Sequence, residues 1–150
     1  MSKLLNSPAS ASLGLLLARV PLGAFFLLAG FGKFTGKGGV VEFVASATAL
    51  LPSYVPPQLG RIYLYALPLV EVLAGAMLIL GALTRVGGLL ASAMLVSFLL
   101  AFGQVRHPEL PFQPNLIYLG VSLLVLLAGA GGISFDRAIF ARPQPGIPQG

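Results

Sequence analysis

Arg19 and Glu71 are opposite charges set inside long apolar runs of a 150-residue chain with nine Lys or Arg and four Asp or Glu residues. Inside a bilayer each charge costs roughly 2.5–3.5 kcal/mol at mid-helix, so it persists only when paired, solvated by a cavity, or used. Glu71 is the group able to exchange protons, and Arg19 is the fixed cation beside it. Pro21 and Pro68 each stand within three residues of one of these charges. A proline removes a helix hydrogen bond and frees the carbonyl one turn back, here at Leu17 and Leu64. Freed carbonyls in membrane helices need a side chain, a water or a cavity. The pattern therefore predicts a small polar pocket, with Arg19 and Glu71 as its charged pair.

Helical spacing sorts the neighbours of this pair. Arg19, Gly23, Phe26, Gly30 and Lys33 share one face of the first helix, and Leu64, Pro68, Glu71, Gly75 and Leu78 share one face of the second. Tyr118 and Ser122 lie along one face of the fourth helix, so the predicted pocket lining is Lys33, Pro68, Tyr118 and Ser122. With Lys33 and Arg61 taken as markers of one membrane face, Arg19 lies fourteen residues in and Glu71 ten. Those depths differ by roughly 6 Å, which an arginine side chain spans. A structural staple between two helices is the competing reading of the same pair.

The elements that must position these residues follow from composition. The chain is 57% hydrophobic and 9% charged, against about 25% charged in an average soluble domain. Its apolar residues fall into four runs, each near the length needed to cross a hydrocarbon layer of roughly 30 Å. The expected architecture is all-α: an integral membrane four-helix bundle, with helices at about 13–34, 62–83, 86–104 and 115–133. A short interfacial helix at about 40–51 is expected in the first loop, between a glycine cluster and Pro52, Pro56 and Pro57. Residues 1–141 form a single membrane domain in this reading, and 142–150 a disordered tail rich in Pro, Gly and Gln.

Several chemistries are excluded. The chain has no cysteine, which removes thiol–disulfide exchange, iron–sulfur ligation and thiolate-bound metal. One histidine, His107, cannot supply bis-histidine haem ligation. No metal cluster, nucleophile–base pair or phosphate loop is present. The net charge of +5 is spread over loops and ends rather than gathered in a basic stripe, so nucleic acid is not an expected partner. The lipid bilayer is, and a homo-oligomer is compatible. Topology by charge is a tie. Lys3, Arg85, Arg137 and Arg142 fall on one side and Lys33, Lys37, Arg61 and Arg106 on the other.

The stretches ARVPLGAFFLLAGFGKFTG and LVEVLAGAMLILGALTRVGGLLASAML, with Arg19, Gly30, Lys33, Glu71, Gly81 and Arg85 in order, resemble the DoxX family of small four-helix membrane proteins. The resemblance covers roughly residues 13–133. It implies association with oxidoreductases, since the family includes the small subunit of thiosulfate:quinone oxidoreductase, and it implies cytoplasmic termini in the cell membrane. The resulting expectation is a membrane subunit of a respiratory or redox complex. It anchors a redox partner, carries no intrinsic cofactor, and contributes to a quinone pocket. The alternatives are a small proton-coupled transporter and a purely structural assembly subunit.

Overall fold

The computed structural model describes residues 8–102 and 114–140. It contains six helices and no strands among those residues: α1 (Pro8–Thr35), α2 (Gly39–Thr48), α3 (Pro57–Leu80), α4 (Thr84–Phe102), α5 (Pro114–Ala128) and α6 (Phe135–Phe140). α1, α3 and α4 are each long and apolar enough to cross a membrane. The predicted tail at 142–150 and the loop holding His107 lie outside the described residues.

Local chemistry sets the helix ends. α3 begins five residues earlier than the apolar run, because Pro57 occupies its first turn, where a missing N–H costs nothing. It stops at Gly81, which takes φ 67 and donates to the Met77 carbonyl at 2.9 Å. A glycine in this left-handed conformation is a common helix terminator. The fourth apolar run does not form one helix over 115–133. α5 ends at Ala128, and Gly129 turns the chain at φ 78. Its 15 residues rise only about 22 Å, so the fourth helix is shorter than expected and three spans are established by length.

α1 packs chiefly on α3, α4 on α5, and α3–α4 and α1–α5 contacts close the ring. Glycines allow the tightest approach. A Cβ on Gly75 would stand 2.5 Å from the Leu27 nitrogen and 2.6 Å from the Gly23 carbonyl. A Cβ on Gly30 would stand 2.7 Å from the Pro68 carbonyl. In lipid, where helix association relies on packing rather than water exclusion, such close backbone approach contributes to stability. Phe26, Ala74, Leu78, Leu95 and Val125 fill the interior. The outer surface is the reverse of a soluble protein's: Leu28, Ile62 and Leu127 are 70%, 66% and 77% exposed, a face suited to acyl chains.

Candidate functional site

The helix register decides which charges meet. Gly30 faces Pro68 and Glu71, Gly23 faces Gly75 and Ile79, and Arg19 faces Gly81. Arg19 and Glu71 are both buried, at 2% and 1% exposure, but they do not pair. Along α3 the level of Arg19 is ten residues from Glu71, roughly 15 Å along the axis. The expected pairing placed Lys33 level with Arg61. In the structure α3 starts well beyond that level, and Gly30 rather than a residue nearer Arg19 is level with Pro68 and Glu71, so the Lys33 side chain reaches Glu71. That slip of register separates the two charges.

Glu71 is instead held by Lys33. The ammonium donates to Oε2 at 2.7 Å and Oε1 at 2.9 Å, and to the Ala29 carbonyl at 3.2 Å. Its third neighbour is the Phe43 ring on α2, whose centroid is 5.1 Å away, a cation–π distance. The carboxylate is thus fixed in the interior while the cation remains partly accessible, with side-chain exposures of 2% and 21%.

This pair lies on a cleft of ≈ 320 Å³ bounded by the last turns of α1, Phe43 and Ala47 of α2 with Leu50 and Leu51 beyond it, the Tyr63–Glu71 stretch of α3 and the facing ends of α4 and α5. Phe25, Phe43, Leu64, Leu67 and Phe98 supply apolar walls. The other polar groups are Tyr63, Ser97 and Asn115, with the Tyr63 hydroxyl hydrogen-bonded to Ser97 Oγ across the α3–α4 interface. α2 is held in place by Val44 and Ala47 against Leu64. The resulting cavity is apolar, with a charged pair on one wall and neutral hydrogen-bonding groups on another.

Of the expected lining residues, Lys33 is on this cleft, and so is Glu71. Pro68 is buried behind it with its carbonyl against Gly30. Tyr118 is stacked on Phe25, ring centroids 4.7 Å apart. Ser122 is buried deeper, sharing a 2.8 Å hydrogen bond with Ser92 and donating to Leu119. Tyr63 also lines the cleft, whereas its place just inside a helix start reads from the sequence as an interfacial aromatic.

Arg19 belongs to a different constellation at the opposite end. It donates to the Leu78 carbonyl at 3.3 Å and to the Ile133 carbonyl, tying α1 to the end of α3 and to the turn before α6. Its Nε finds no partner among the described residues. A Cβ on Gly81 would stand 1.7 Å from Arg19 Nη1, so glycine is required there for space as well as for φ. Asp136 on α6 completes the arrangement. Its carboxylate accepts from the Leu83 and Thr84 amides at 2.6 and 2.9 Å, capping α4 from a distance, and its own N–H donates to the Gly81 carbonyl. Burial pushes the Asp136 carboxyl up. Hydrogen bonds from Thr84 and Leu83, with the field of Arg19, outweigh this and hold it below the usual carboxylate range. The sequence signal for this cap is a gap: Leu83, with φ 50, stands where a capping side chain would be expected.

Apolar spans, an apolar outer face and an internal ion pair on a lipophilic cleft define an integral membrane protein. Comparison with known proteins identifies its family. The chain belongs to the methylamine utilisation protein MauE family, whose model matches residues 11–113. This overturns the DoxX resemblance. Of the residues that carried it, Gly30, Gly81 and Arg85 are packing, helix-stop and helix-end residues that any small helical bundle uses. The orientation of the termini inferred from that resemblance loses its support with it. The chain is 26% identical over 141 residues to the protein named "Putative oxidoreductase CatD" from Bacillus subtilis (strain 168), covering 91% of this chain and 95% of that protein. It is 29% identical over 129 residues to the inner membrane protein YqjF of Escherichia coli (strain K12), covering 84% and 92%. The inner membrane protein YphA of the same organism is 28% identical over 135 residues, covering 82% and 88%. These relatives and the apolar spans assign the chain to a membrane. No solved structure matches it.

Proposed function

We propose that this protein is a membrane subunit serving a redox reaction, with the Lys33–Glu71 cleft as the site for a quinone headgroup. The observation that carries the reading is the cleft itself. Its ≈ 320 Å³ falls at the lower end of the range of small-molecule sites, roughly 300–1,000 Å³. Its walls are apolar, and two side chains can turn a donor to a ligand: the Lys33 ammonium, by exchanging its 3.2 Å bond to the Ala29 carbonyl, and the Asn115 amide. A ring with two carbonyl oxygens matches such a donor set. The relative named as an oxidoreductase supports the redox setting.

A bound quinone supplies two-electron, two-proton redox chemistry. The chain's own residues do the rest. Lys33 donates to an oxygen and compensates negative charge near it. Glu71 holds a proton at Oε1 or Oε2 or releases it, and its bond to Lys33 keeps it aimed at the cleft. Phe25, Phe43 and Phe98 exclude water. The electrons, in this reading, come from a redox partner. In this reading α5 completes a four-helix bundle with α1, α3 and α4, and α2 lies at the membrane interface as the cover of the site.

Gentle detergent extraction followed by mass spectrometry tests the assignment. A redox subunit in stoichiometric amount, with quinone-linked turnover that falls in Glu71→Gln while assembly persists, is the expected result. Equal turnover in the variant would remove Glu71 from the chemistry.

A further inference from the structure

A second concavity lies at the opposite end of the molecule, ≈ 340 Å³ in volume, walled by Arg85 on α4, Arg137 on α6 and the glycine turn that joins α5 to α6. Gly129 and Gly131 take φ 78 and 73, and the turn leaves bare backbone between the two arginines. A Cβ on Gly129 would stand 3.6 Å from Arg85 Nε, and one on Gly132 would stand 2.7 Å from Arg137 Nη1. Two guanidinium groups from different elements therefore flank one short stretch of main chain.

The charge there is only partly compensated. Among the described residues the ion pair is Lys33 with Glu71, so neither Arg85 nor Arg137 is salt-bridged. Asp136 also lines the concavity, but its two oxygens are committed to the Leu83 and Thr84 amides and its charge faces Arg19. The concavity thus carries two guanidinium charges against one carboxylate, a net single positive charge. Both are exposed. Planar guanidinium groups arranged this way suit a phosphate, which each can bind through two parallel N–H groups.

The surroundings select the source of that phosphate. Arg85 is the second residue of α4 and the turn follows the last residue of α5, so the guanidinium groups stand where apolar helices end and headgroups begin. Val86 and Leu127 are 45% and 77% exposed beside them, and α4 meets α5 at that level, where a Cβ on Gly88 would stand 3.0 Å from the Leu126 nitrogen. We propose that Arg85 and Arg137 form a binding site for an anionic phospholipid, the phosphate between the guanidinium groups and the acyl chains along the outer flank of α4 and α5. The site is separate from the Lys33–Glu71 cleft and independent of the quinone reading.

The test uses the full chain in nanodiscs of dioleoylphosphatidylglycerol and dioleoylphosphatidylcholine in equal amounts, with retained lipid counted by native mass spectrometry. Preferential retention of the phosphatidylglycerol is expected, and each Arg→Gln change should lower that preference roughly fivefold. Where Arg85→Gln with Arg137→Gln does not fold, Arg137→Gln alone decides, because α6 lies outside the long helices. Equal retention of the two lipids by the unaltered chain would overturn the proposal. So would an unchanged preference in a folded variant. Inorganic phosphate, titrated into lipid-free micelles, distinguishes the two sources: tighter binding of phosphate than of phosphatidylglycerol at these arginines would overturn the lipid assignment.

Discussion

Lys33 grips both carboxylate oxygens of Glu71 across the α1–α3 interface, at 2.9 and 2.7 Å. The carboxylate is buried and the ammonium is partly accessible, so the two are not equivalent partners. Lys33→Met leaves a buried carboxylate without its counter-charge and is expected to lower stability by about 2–4 kcal/mol. Lys33→Met with Glu71→Leu removes both charges and should recover most of that loss. Thermal unfolding in detergent for both singles and the double measures the coupling.

Arg19 and Glu71 belong to opposite ends of the bundle and should separate experimentally. Arg19→Gln removes carbonyl contacts that tie α1 to Leu78 and Ile133. It is expected to lower the unfolding temperature while leaving ligand affinity at the Glu71 cleft within about twofold, since sites with no shared partners act independently. Melting curves with and without a quinone analogue check both halves of this expectation.

Gly75→Ala should be among the most damaging single-methyl changes in the chain. The added Cβ meets backbone at 2.5 and 2.6 Å, which cannot yield as a side chain can, so α1 and α3 must part. A loss of about 1–3 kcal/mol is expected. Gly120→Ala, with nothing within 4 Å of the added Cβ, should be neutral or slightly stabilising because alanine favours helix. Comparing the two by melting separates close packing from helix propensity.

Much of this was legible beforehand, and the failures have identifiable causes. Long apolar runs revealed α1, α3 and α4, and the glycine and proline clusters revealed the short helix α2. Charges in apolar runs drew attention to Arg19 and Glu71, both of which proved buried and engaged. Register was not legible. Helix-end cations were used as depth markers, but Lys33 is turned inward onto Glu71 rather than outward to a membrane face. Asp136 could not be found from local pattern, because it caps a helix 52 residues away. The end of α5 at Gly129 was hidden because residues 129–133 remain apolar or small after the helix has stopped. The DoxX resemblance failed for a related reason: packing glycines and helix stops report a shared building method rather than a shared family.

Asp136 introduces an acid-sensitive joint. Its carboxyl is held below the usual carboxylate range, so its contribution is complete above the unfolded value near pH 4. That contribution is lost as pH falls through the still lower folded value. Stability of the unaltered chain should therefore decline below about pH 4. Asp136→Asn should start lower by about 0.5–2 kcal/mol, the usual worth of a cap, and show a shallower decline. Melting temperature against pH for the two proteins measures the difference.

Binding of a quinone at the Lys33–Glu71 cleft is the claim on which the functional reading rests, and equilibrium binding of decylubiquinone to the purified full chain measures it. Saturable binding of one molecule per chain is expected. Ala101→Phe, which fills the cleft, should abolish it, and Lys33→Met should weaken it by roughly tenfold or more, the size of a lost charge-assisted hydrogen bond. Absence of saturable binding, or binding unchanged by Ala101→Phe in a folded protein, would contradict the quinone assignment.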